Sequence, residues 1–109
     1  MNIQNYINTI AKCSRPAEGV TRLPFTNDHV AANKLLKKWM TDAGLKISLD
    51  AAGTLIGRYI SPIKNSKTLL IGSHQDSGYN SGRYDGIMGI ILPILSLIHI
   101  SEPTRPSSI

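Results

Sequence analysis

From residue 28 to residue 43, apolar side chains recur at helical spacing. Val30, Leu35, Leu36, Trp39 and Met40 fall on one face, with Lys34, Lys37 and Lys38 opposite. Such a helix must bury its stripe against another layer, and this constrains the chain more than any other feature. Gly44 stands just past its end, where a positive φ is needed. Asn27 or Asp28 is placed to cap its start. Three strand-like runs follow. Leu45 to Leu49 alternates apolar and polar, Leu55 to Ile60 follows the turn Ala52-Gly53, and Thr68 to Ile71 is a short apolar run. A further helix opens at Gly86. Before all of these, Ile3, Tyr6, Ile7 and Ile10 make one helical face, and Pro16 ends that segment. Residues 16 to 27 read as a loop. Helices around strands predict a layered α/β domain.

Composition narrows the function. The chain has 109 residues, enough for one small domain, and a 41% hydrophobic fraction argues against wholesale disorder. Its net charge of +5 is scattered over separate segments. A nucleic-acid surface needs a clustered basic stripe with aromatics for stacking, and neither is present, so no nucleic-acid partner is expected. Ile87 to Ile100 is strongly apolar. It is shorter than the ~20 residues of a spanning helix and Pro93 interrupts it, so a helix buried over its first part is expected and no membrane partner. Residues 1 to 11 do not read as a signal peptide. Cys13 is the single cysteine, so no internal disulfide can form, in keeping with a reducing, cytoplasmic setting. A lone cysteine of this kind reads as inert.

The chemistry concentrates after the third strand-like run, in Gly72-Ser73-His74-Gln75-Asp76-Ser77. Ligands in α/β sheets sit outside the carboxyl ends of strands, where His74 stands. In extended backbone Asp76 points to the same side as His74. A carboxylate there can take the second ring N–H, which fixes the tautomer and raises the basicity of a metal-binding imidazole. Asp85 lies within Gly82-Arg83-Tyr84-Asp85-Gly86, and one carboxylate can bridge a metal pair. Two plainer readings stand beside these: His74-Gln75-Asp76 as an oriented surface histidine, and Asp85 between glycines as a turn.

The longer pattern carries more. Leu70 to Ser77 followed by Gly82 to Gly89 resembles the first metal motif of the M20 metallopeptidase family. Gly19-Val20-Thr21-Arg22-Leu23, Trp39-Met40 through Ala43-Gly44-Leu45, and Asp50-Ala51-Ala52-Gly53 resemble segments of its allantoate amidohydrolase and N-carbamoyl-L-amino-acid hydrolase branch. The resemblance covers about residues 16 to 94. It implies the N-terminal part of a three-layer α/β/α metallo-hydrolase catalytic domain. It implies that His74 binds one metal, that Asp85 bridges two, and that Asp76 orients His74. The implied cofactor is two divalent ions (zinc, manganese, cobalt or nickel), and the implied reaction is attack of metal-activated water on a linear amide C–N bond. The partners implied are a small-molecule substrate and a second copy of the enzyme, docked through a domain absent here.

Gly78, Ser81 and Thr54 depart from residues common in that branch, and none removes a ligand. The Glu-Glu pair and two further histidine ligands of such enzymes are absent. His29 sits on the amphipathic helix and reads as a surface residue. Metal held by His74 and Asp85 alone should bind weakly, so the chain by itself is expected to be inactive and marginally stable. Two alternatives remain open: a peptidase or aminoacylase of the same family acting on dipeptides or N-acyl amino acids, and a small non-catalytic binding module. Leu95 to Pro106, including His99, resembles the conceptual translation of a sequencing-library adapter. Residues 1–94 are therefore expected to be a partial catalytic domain and 95–109 a non-native tail.

Overall fold

A computed structural model describes residues 2–100. The order is α1 (Ile3–Ala11), α2 (Asn27–Asp42), β1 (Lys46–Leu49), β2 (Leu55–Arg58) and α3 (Met88–Ile100). Asn2 caps α1, its side chain accepting from the Asn5 N–H at 2.9 Å. Thr26 caps α2 in place of Asn27 or Asp28; its hydroxyl accepts from the His29 N–H. Asp28 then falls in the first turn, where a negative charge suits the helix dipole. Gly44 has φ +86°. Its N–H bonds the Thr41 carbonyl and that of Leu45 bonds Met40, each at 3.0 Å. This paired closure satisfies carbonyls that the helix end would otherwise leave free.

The core lies among the three helices. Ile7 and Ile10 of α1, Ala32, Leu36 and Trp39 of α2, Ala43, and Ile87, Ile91 and Ile94 around α3 form one buried cluster. The Trp39 ring meets Tyr6 edge to face at 4.9 Å between centroids. The α2 stripe is rotated from its expected position: Val30 is 53% exposed, while the small residues Ala32 and Ala43 are fully buried. Alanines at these positions allow close helix approach, and Val30 faces a shallow depression with Phe25 and Leu49. α3 continues through Pro93 to Ile100. The proline removes the N–H that would bond the Gly89 carbonyl. Burial of Ile91 and Ile94 on either side holds the helix together. Of the expected tail, residues 95–100 are helical, and 101–109 lie outside the described residues.

The strands β1 and β2 form an antiparallel hairpin, Lys46 opposite Arg58 and Leu49 opposite Leu55. Its turn is organised by Asp50, whose carboxylate accepts from the Ala52 and Thr54 N–H groups at 2.9 Å each. The third expected strand, Thr68 to Ile71, does not form. Leu69 and Leu70 are 84% and 91% exposed. A strand exists only as one member of a ladder, and no described strand pairs with this run. The segment 16–27 is also more than a loop: Val20, Thr21 and Arg22 are buried, and Val20 makes an antiparallel bridge with Ser81.

These burials differ in consequence. Leu36→Ala should lower the stability of the chain by about 2–5 kcal/mol. Val30→Ala, at a position the sequence periodicity ranks equally, should change it by less than about 0.5 kcal/mol. Urea titrations followed by circular dichroism read both.

Candidate metal centre

Residues 72–81 form no ladder of their own, yet Gln75, Ser77 and Asn80 are each hydrogen-bonded to the body of the protein. Gln75 and Ser77 face the protein. The Gln75 side chain donates to the His29 carbonyl at 3.2 Å and to Asn33 Oδ1 at 3.0 Å. The Ser77 N–H donates to the Arg22 carbonyl, and its hydroxyl accepts from the Arg22 N–H, each at 2.8 Å. The Asn80 N–H donates to Thr21 Oγ1 at 2.7 Å. His74 and Asp76, alternating with these, face solvent.

Arg22 is the anchor, with 2% exposure. Its Nε donates to the Gln75 carbonyl and Oε1, at 2.9 and 3.0 Å. Its Nη1 donates to the Ile10 and Cys13 carbonyls, at 3.0 and 2.8 Å. Burial lowers its pKa from the ordinary guanidinium range, while the charges of Cys13, Asp28 and Asp76 oppose that shift. The sequence reading passed over Arg22 as one scattered cation. The available signal was its place inside Gly19 to Leu23, together with the polar residues that alternate with His74 and Asp76.

The three expected site residues come together. Nδ1 of His74 lies 3.0 Å from the Asp76 carbonyl and 3.2 Å from its carboxylate. Nε2 of the same ring lies 3.6 Å from Asp85 Oδ1. Acceptors at Nδ1 favour the proton there, which leaves the Nε2 lone pair turned toward Asp85. Gly86 makes this approach possible. It has φ +75°, and a Cβ there would sit 2.5 Å from the His74 ring. The Ser73 hydroxyl donates to the Gly86 carbonyl at 2.8 Å and ties the two segments together.

This donor pair fits a divalent ion. Two ligands about 2.1 Å from one ion at a tetrahedral angle stand roughly 3.4 Å apart. Imidazole nitrogen with carboxylate oxygen suits zinc, manganese, cobalt or nickel. The pair is incomplete, because among the described residues no cluster of three His, Cys, Asp or Glu side chains could hold an ion. The site is also open: His74 and Asp85 side chains are 54% and 75% exposed. Neither the depression lined by Ala11, Arg15 and Val20 nor that lined by Phe25, Val30 and Leu49 includes them. His29 is engaged elsewhere, its Nδ1 accepting from the Phe25 N–H at 2.7 Å. His99 falls in the last turn of α3. No described helix is long and apolar enough to cross a membrane.

No protein-family model matches the chain. Its curated relatives are hydrolases of non-peptide C–N bonds. An N-carbamoyl-L-amino acid amidohydrolase from Geobacillus stearothermophilus is 44% identical over 77 residues, which is 71% of this chain and 19% of that protein. An allantoate amidohydrolase from Bacillus subtilis (strain 168) is 32% identical over 102 residues, 93% of this chain and 25% of that protein. The crystal structure of a hydantoinase/carbamoylase family amidase from Burkholderia ambifaria superposes with a TM-score of 0.85 at 28% identity, covering 93% of this chain and 25% of that one. In sequence and in fold the chain is similar to a segment of N-carbamoyl-L-amino acid amidohydrolases, allantoate amidohydrolases and a hydantoinase/carbamoylase family amidase. It spans about a fifth to a quarter of the length of these relatives.

Cys13 is half-buried behind Arg22. Burial raises its pKa, Arg22 partly offsets that, and Asp28 adds to it. A raised pKa leaves less thiolate at a given pH. Cys13 should therefore react with iodoacetamide at pH 8 more slowly than a cysteine in an unstructured peptide, and gain rate only at higher pH. A pH series of alkylation rates followed by mass spectrometry tests this.

Proposed function

We propose that the protein to which this segment corresponds hydrolyses the C–N bond of a linear amide, allantoate or an N-carbamoyl amino acid. The observation that carries the reading is His74, with Asp76 at one ring nitrogen and Asp85 at the other. In this reading His74 gives Nε2 and Asp85 gives its carboxylate to a divalent metal pair. Asp76 keeps the proton on Nδ1 and holds the ring in plane. Bound there, the metal pair polarises the substrate carbonyl and makes water nucleophilic near neutral pH. The remaining ligands and the general base come from residues outside this segment, as does the contact that makes the enzyme a homodimer. The lone, half-buried Cys13 suits a cytoplasmic protein. The names of the curated relatives support the substrate class.

The test begins with the source DNA, read past the codon for Ile94. The complete enzyme is then assayed for ammonia or carbamate release from allantoate and N-carbamoyl amino acids, with dipeptides and N-acyl amino acids as competitors. His74→Ala and Asp85→Ala should abolish turnover. Asp76→Asn should weaken metal affinity by about 10–100-fold and leave residual activity. Preference for a dipeptide would move the assignment to a peptidase of the same family. Full activity in His74→Ala would sink the metal reading.

A further inference from the structure

Two segments carry the donor pair, and both are tied to α1. On one side Arg22 donates to the carbonyls of Ile10 and Cys13 at the end of α1, and also to the carbonyl and side chain of Gln75. Gln75 stands between His74 and Asp76. On the other side Asn8 Oδ1 accepts from Arg83 Nη1 at 2.7 Å, and Gln4 Oε1 accepts from the Tyr84 hydroxyl at 3.0 Å. Tyr84 precedes Asp85. A further bond from Gln4 Nε2 to Asn8 Oδ1 links the two α1 residues. The helix thus grips the His74 segment through a buried cation and the Asp85 loop through two surface contacts.

We infer that Arg22 is a positioning residue, setting through α1 the separation between His74 Nε2 and the Asp85 carboxylate. This rests on the metal reading above. The guanidinium suits the task because its fork donates in two directions at once, Nε toward Gln75 and Nη1 toward α1. A lysine ammonium is a single point and cannot hold both. Ligand geometry is sensitive, since a displacement of about 1 Å at a catalytic site costs roughly 100-fold. The surface contacts from Asn8 and Gln4 are weaker, so the Asp85 loop has the greater freedom and Arg22 fixes the reference side.

The experiment uses the complete enzyme, stripped of metal and titrated with Zn2+ by calorimetry, with Co2+ absorption as a report on ligand geometry. Arg22→Lys should weaken Zn2+ binding by about 10–100-fold. It should also alter the Co2+ spectrum, and lower kcat at saturating metal with KM little changed. Gln75→Met, which removes the side-chain half of the clamp along with the bonds to His29 and Asn33, should move all three in the same direction by less, and it decides the matter if Arg22→Lys does not fold. Ile7→Val loosens α1 from within the core without touching the clamp, and should leave Zn2+ affinity and the Co2+ spectrum unchanged. Wild-type Zn2+ affinity in Arg22→Lys, or in Gln75→Met where the former does not fold, overturns the inference. So does equal weakening in Ile7→Val. A His74→Ala enzyme that binds Zn2+ normally would instead overturn the metal reading itself, and the two failures are distinct.

Discussion

Everything near the donor pair depends on one buried cation. A guanidinium taken out of water costs several kcal/mol unless its protons are met. Arg22 meets that cost with carbonyl oxygens from the end of α1 and with both oxygens of Gln75. The carbonyls at a helix end also carry the negative pole of the helix dipole, so the cation and α1 stabilise one another. Three stretches distant in sequence (10–13, 22 and 75) become one unit. It ties down residue 75, while backbone bonds from Ser77 and the Val20–Ser81 bridge hold the stretch that follows.

This arrangement explains how an extended, exposed segment presents two side chains in a defined direction. Alternation along extended backbone sends Gln75 and Ser77 inward, so His74 and Asp76 must point outward. The inward pair is fully bonded, and no buried side-chain polar atom among the described residues lacks a partner. His74 is then free to meet Asp85, which arrives on a loop brought close by the positive φ of Gly86. The helical core positions α1 and α2, the two bodies against which both segments lean.

Some of this was legible in the sequence. The helix over 28–43 was, because its periodicity spans four turns and Gly44 marks its end. So was the hairpin, since Asp50 to Gly53 is turn chemistry between alternating runs. The spacing of His74, Asp76 and Asp85 was legible as a pattern, and the resemblance it raised points to the same amidohydrolase branch as the relatives found. The strand at 68–71 was misread because local propensity reports what a run can do, and pairing depends on a neighbour. Val30 was misread because periodicity locates a stripe only to within a residue or so, and Ala32 looks neutral beside it. Arg22 was missed for a different reason. An isolated arginine reads as surface, and what buries this one is a set of carbonyls that the sequence does not display.

The openness of the site also follows from physics. A metal-assisted hydrolysis works where water is excluded and charge is met by fixed dipoles. Here the His74 and Asp85 side chains stand more than half exposed. On the proposed reading two donors satisfy half of a tetrahedral shell, and among the described residues no cluster of three His, Cys, Asp or Glu side chains could hold the ion. The segment accordingly supplies direction rather than enclosure. A buried cation holds the backbone beside His74, while surface contacts from α1 hold the loop that carries Asp85. On the proposed reading, enclosure, further ligands and a general base come from residues outside the segment, which holds the His74 side of the site in place.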